Sequence, residues 1–144
     1  MGHVINTDST GKQRNQSMRT AAELLRHLSQ KADIDDEVKD MVAALIYSLR
    51  EIDEGIDSSA AAWEKRDYWM KADELRVKWE WTARMADQLV ALVYDERWGD
   101  LPPMMVKLFP YFNDIKITKM TRKEDAWQGA YARLMREQQP RLKQ

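Results

Sequence analysis

"IDDEVKDMVAALIYSLREIDEGIDSSAAAWEK", Ile34 to Lys65, carries the clearest pattern in the chain. Ile34, Val38, Met41, Leu45, Leu49, Ile52, Ile56 and Trp63 fall on one stripe at about 100° per residue, the period of an α-helix. Asp33 is placed to cap the start, and Asp35, Asp36 and Glu37 suit the positive end of a helix dipole. Gly55-Ile56-Asp57-Ser58 has a competing reading, a C-cap glycine followed by a new N-cap. The stripe stays in phase across the glycine, so the pattern predicts one helix to about Lys65, with Gly55 as a place for a kink.

The next stretch, "AWEKRDYWMKADELRVKWEW" from Ala62 to Trp81, holds four of the six tryptophans and ten charged residues. A turn at Lys65 to Tyr68 followed by a helix from about Asp67 to Arg97 reconciles the two. Tyr68, Ala72, Leu75, Trp79, Ala86, Leu89 and Val93 form one apolar stripe. Met70, Val77, Trp81, Met85 and Leu92 form a second on the opposite side, with the charges between. Two long helices in sequence then make an antiparallel hairpin.

Outward from the hairpin the signals are shorter. Residues 1–10 lack periodicity and read as a flexible arm, with Asp8, Ser9 or Thr10 available as a cap. Met18, Ala21, Ala22, Leu25 and Leu28 give a first helix to about Lys31. After Trp98-Gly99, Asp100 is placed to cap a short helix with Pro102 and Pro103 in its first turn. "IKITK" (115–119) alternates like a strand but has no partner strand, so it reads as extended linker. Thr121-Arg122-Lys123-Glu124 has the form of a capping box. Trp127, Ala130, Tyr131, Leu134 and Met135 form the apolar face of the last helix, and Pro140 closes it. The expected fold is all-α: an antiparallel bundle of about four main helices plus one short one, built around the hairpin. It forms a single domain over 11–139, with a tail at 140–144.

Composition agrees with a helical fold: 44% apolar, 33% charged, five Gly and four Pro in 144 residues. With no cysteine, disulfides, thiolate catalysis and Cys-ligated zinc are excluded. No apolar run approaches the length of a membrane span and the start lacks the form of a signal peptide, so a soluble, cytoplasmic chain is expected, with no membrane partner. The net charge of −1 hides an asymmetry. Residues 1–31 carry five Lys/Arg against two Asp/Glu, residues 32–100 nine against eighteen, and residues 115–144 eight against three.

The chemistry-bearing motifs are weak. Gly11-Lys12 resembles a phosphate-binding loop, but Asn6 stands where its first Gly belongs and Gln13 where its Ser or Thr belongs. Glu23 and His27 share a helix face, but the chain has no Glu-x-x-His pair of the di-iron type. The acidic runs Asp33 to Glu37 and Asp53 to Asp57 do not match a calcium loop and read as caps and solvated faces. Tyr68, Trp69 and Trp79 with Asp73 nearby are a conceivable ligand pocket. No catalytic constellation, metal site or cofactor is expected, and the chain reads as not an enzyme.

"STGKQR" (9–14) together with the tryptophan-rich string (62–81) resembles a small bacterial family of all-helical proteins marked by STGKxR and AWEKRxYWxKADxxRxxWEW. The resemblance covers the first two thirds of the chain and loosens after Trp98. It implies a bacterial, soluble setting, and it brings neither an activity nor a site to transfer.

The leading expectation is a non-catalytic protein that works by binding protein, including its own copy as a dimer, through Met70, Val77, Trp81, Met85 and Leu92. The competing arrangement has that stripe covered by the last helix or by residues 101–120. The alternative function is anion or nucleic-acid binding by the basic ends, through Lys12, Arg14, Arg19, Arg133 and Arg136, with Arg141 and Lys143 beyond them. Nucleic acid is the less favoured partner, because residues 62–81 balance their charges.

Overall fold

The computed structural model describes the backbone of residues 5–142 and the side chains of residues 10–138. Among these residues there is no strand. Six α-helices follow one another: α1 (Ile5–Ser29), α2 (Asp36–Lys65), α3 (Trp69–Trp79), α4 (Trp81–Tyr94), α5 (Leu101–Leu108) and α6 (Ala130–Leu142), with short 3-10 turns between the later ones. The protein is an all-α bundle.

α2 is the hub: α1, α3, α4 and α6 all pack on it. Its buried face, Val38, Met41, Val42, Leu45, Ile46, Leu49, Ile52 and Ile56, broadens the stripe seen in the sequence. The helix runs unbroken through Gly55. A Cβ on Gly55 would lie 3.7 Å from the Thr10 methyl, so α1 crosses close to α2 at this point. The N-cap is Asp35 rather than Asp33, two residues later than the sequence pattern suggests, and its carboxylate accepts from the Val38 amide at 2.8 Å. Asp35 and Glu37 also pair with Lys31, which accounts for the first acidic run. Asp35→Ala should lower the melting temperature by about 3 °C in a thermal scan, the usual scale of a lost cap. An unchanged midpoint would deny the cap any weight.

α1 begins at Ile5, inside the segment read as an arm, so Asp8, Ser9 and Thr10 lie within the helix rather than capping it. Thr10, the first residue whose side chain is described, faces Gly55 of α2. Further along, Ala21, Leu24, Leu25 and Leu28 enter the core.

The turn between α2 and α3 falls where it was expected. Asp67 takes a left-handed φ of 63°, a conformation Asp tolerates better than most residues, and the Tyr68 amide returns to the Trp63 carbonyl at 2.9 Å. The single helix expected over 67–97 is instead two, bent at Glu80. The Thr82 hydroxyl donates to the Trp79 carbonyl at 2.8 Å, the group that accepts the Ala83 amide in an unbroken helix. Trp81 beyond the bend stacks on Tyr111 at 4.1 Å and meets Phe112 edge-on at 5.7 Å. The segment after α4 therefore covers the part of the second stripe that lies on α4.

From Phe112 the chain crosses α1 without regular structure, and 115–119 pairs with no strand. Thr121 does not build a capping box. Its hydroxyl and amide both donate to Glu23 of α1, as does the Arg122 amide. α6 starts later than expected, after Gly129 at φ +82°. Its first amides are satisfied from α2: Asp40 accepts from Gly129 (3.3 Å) and Tyr131 (3.0 Å). Pro140 lies within the last turn rather than closing it. α1 and the α3–α4 arm run antiparallel to α2, as Ser17–Glu51 and Arg76–Glu64 contacts show. α6 runs parallel to α2, since Asp40 meets its start and Arg50 meets Glu137 near its end.

Candidate binding surfaces

The five residues proposed from sequence as an interface divide at the bend. Trp81, Met85 and Leu92 are core residues, exposed by 7%, 1% and 0%. The straight-helix projection put them outside; the bend and the covering residues Leu101, Met104, Leu108 and Phe112 put them inside. Met70 and Val77 remain 78% and 74% exposed, and Trp69 (60%) joins them. α3 buries only Ala72, with Leu75 and Trp79 half-buried against the core. Met70, Asp73, Glu74, Val77 and Lys78 form one shallow stripe along its outer side.

The hairpin tip is held by charge. Arg76 of α3 donates to Glu64 and lies 3.7 Å from Asp57, closing α3 onto α2. Aromatics and charges are here in direct contact, not on separate sides as the periodicity implied. Lys71 sits 4.7 Å above the Trp63 ring, and Tyr68 meets that ring edge-on at 5.6 Å. Lys78 and Arg14 flank Trp79. The ligand pocket suggested for Tyr68, Trp69, Trp79 and Asp73 does not form. Tyr68 and Trp69 are exposed, and Trp79 stacks toward Trp81.

A second surface is a polar groove of about 1240 Å³ between α1, α2 and the start of α6. Arg14, Gln13 and Ser17 stand on the α1 side; Arg133 and Arg136 stand on the α6 side. Tyr47, Ser48, Glu51 and Glu54 of α2 form the floor, and Arg122 closes one flank. Three of the five residues named as anion contacts, Arg14, Arg133 and Arg136, thus face one space. The other two do not. Lys12 is exposed outside the groove, and Arg19 is tied to Glu23 at 2.7 Å and to the Lys116 carbonyl at 3.3 Å. The side chains of Arg141 and Lys143 lie outside the described residues.

Tyr47 of the groove is tied to two residues beside it. The Tyr47 hydroxyl donates to Glu137, and Arg50 donates to the same carboxylate at 3.0 Å. Burial, then the Glu137 hydrogen bond and charge, push the Tyr47 phenol up to about 12, so it stays a donor. Arg133 lies 4.1 Å over the Tyr47 ring. Sequence reasoning missed Tyr47, Asp40, Glu54 and Arg122, which no local pattern marks. Their roles come from which helices α2 touches and, for Arg122, from the crossing of its segment over α1.

Glu23, weighed with His27 as a ligand pair, is fully engaged. It accepts from Arg19, from the Thr121 hydroxyl and from two backbone amides. Burial alone would raise its carboxyl; the donors from Thr121, Arg19 and Arg122 outweigh it and hold it at about 2. Among the described residues no group of three or more His, Cys, Asp or Glu is placed to hold a metal ion, and no helix is long and apolar enough to cross a membrane.

Compared with protein-family models, curated proteins and solved structures, the chain matches none of them. No residue role comes from a relative, and both surfaces stand on their own geometry.

Proposed function

We propose that the chain is a non-catalytic, cytoplasmic protein that acts by binding protein, its own copy first, through the outer side of α3. The observation that supports this is the exposure of Trp69, Met70 and Val77 on a helix that packs chiefly on α2. Contiguous large apolar side chains are seldom left bare on a monomer. The same stripe carries both signs, Asp73 and Glu74 with Lys78, and has an apolar residue toward each end. A two-fold axis that reverses one copy sets Met70 against Val77 of the other, the commonest symmetric arrangement. The bacterial setting rests on the resemblance of residues 9–14 and 62–81.

Light scattering across a concentration series tests this reading. The wild type is expected to approach twice the monomer mass as concentration rises. Met70→Glu with Val77→Glu should hold it at monomer mass with its circular dichroism unchanged. A wild type that stays monomeric at millimolar concentration removes the proposal.

A further inference from the structure

We infer that the groove between α1, α2 and α6 binds a multivalent, non-aromatic anion of the linear polyphosphate type. It shares no lining residue with the α3 stripe, so this site is independent of self-association.

The arginines carry the inference. Arg19, Arg50, Arg76, Arg84, Arg97 and Arg122 each have a carboxylate within 4.0 Å. Five described arginines have none that close: Arg26 and Arg66 lie outside the groove, whereas Arg14, Arg133 and Arg136 line it, with Arg133 acting on Glu137 only from further off. Arg14 has the Trp79 ring at 5.4 Å and Arg133 the Tyr47 ring at 4.1 Å, contacts that leave the forked N–H donors open. An unpaired guanidinium is the side chain best matched to a phosphate, which it binds through two parallel hydrogen bonds. Here such groups stand on opposite walls of one groove, brought from the two basic ends of the chain.

The floor narrows the ligand class. Glu51 accepts from the Ser17 hydroxyl at 3.1 Å and Glu54 lies along the same floor. A single phosphate between these carboxylates gains little, because repulsion from the floor offsets one arginine. A chain of phosphates reaches both walls and gains from all three. At about 1240 Å³ the groove is also far larger than one phosphate. Aromatic bases are disfavoured. Single-strand binders stack bases on open rings, whereas Tyr47 is covered by Arg133 and Arg50, and Trp127 is buried.

Calorimetric titration with sodium tripolyphosphate at low salt is the test, with orthophosphate and an oligothymidylate as the other ligands. The wild type should bind tripolyphosphate about tenfold more tightly than orthophosphate. Arg133→Gln with Arg136→Gln should weaken it at least about tenfold. Lys12→Gln, which removes a nearby charge outside the groove, should change it less than about twofold, as screened surface charges do. Glu54→Gln should tighten binding, since it removes repulsion. Circular dichroism of each variant confirms that these exposed changes leave the fold intact. The inference is overturned by absence of tripolyphosphate binding, by an equal loss in Lys12→Gln, or by weaker binding in Glu54→Gln. An oligothymidylate that binds more tightly at matched charge overturns it in favour of nucleic acid.

Discussion

Leu92→Glu is expected to unfold the protein, and Trp81→Glu to do nearly the same, while Met70→Glu and Val77→Glu leave its helicity intact. All four belong to one stripe on a straight-helix projection, so periodicity gives them equal standing. The bend at Glu80 separates them. Leu92 is wholly enclosed by core residues, and an unpaired carboxylate there costs several kcal/mol in desolvation on top of the lost apolar burial. That is comparable to the whole stability of a domain, about 5–15 kcal/mol. Met70 and Val77 already face water, where substitutions are usually worth less than about 0.5 kcal/mol. Circular dichroism with thermal melts distinguishes the groups. A folded Leu92→Glu with a lower mass in solution would mean that the stripe faces another copy after all, and that residues 101–112 do not cover it.

Glu23→Gln is expected to cost on the order of 3 kcal/mol and to lower the melting temperature by about 10 °C. Glu23 accepts from the Thr121 hydroxyl, the Thr121 and Arg122 amides and Arg19 at once. A neutral amide answers fewer of these donors and turns an N–H group toward some of them. The pH dependence follows in sign. The folded carboxyl sits at about 2, below its ordinary 4.5. Its contribution is fully present above about pH 4.5 and is lost as pH falls through 2. Wild-type stability should therefore decline across that window more steeply than that of Glu23→Gln. Cleavage by trypsin after Lys119 or Arg122 should also quicken in the variant, because Glu23 holds that segment on α1. Parallel acid curves for the two proteins would show that the carboxylate carries no differential charge energy.

The long-range order of the fold was open to sequence reading wherever one helix had one wet side. α2 shows this best: its stripe survives a glycine, and its end at Lys65 is right. The reading failed wherever a second body decides. Trp81, Met85 and Leu92 changed sides because a hydroxyl at Thr82 and rings at Tyr111 and Phe112 lie outside any local period. Thr121 to Glu124 has the letters of a capping box, but Glu23, far away in the chain, takes its donors. The anion residues were visible as charges and invisible as a site. Nothing in the sequence says that Arg14 and Arg136 share a groove while Lys12 does not.

α6 does not possess its own N-terminal cap. The carboxylate that meets its first amides is Asp40, on a helix whose place in the chain is far earlier. Segment 124–142, made as a free peptide, should accordingly be mostly coil, since a helix this short is marginal in water even with good ends. A helix whose first amides wait on a carboxylate of α2 is expected to form after α2 does. Arg133 and Arg136 ride on that helix, so the groove gains its second wall only when α6 is docked on α2.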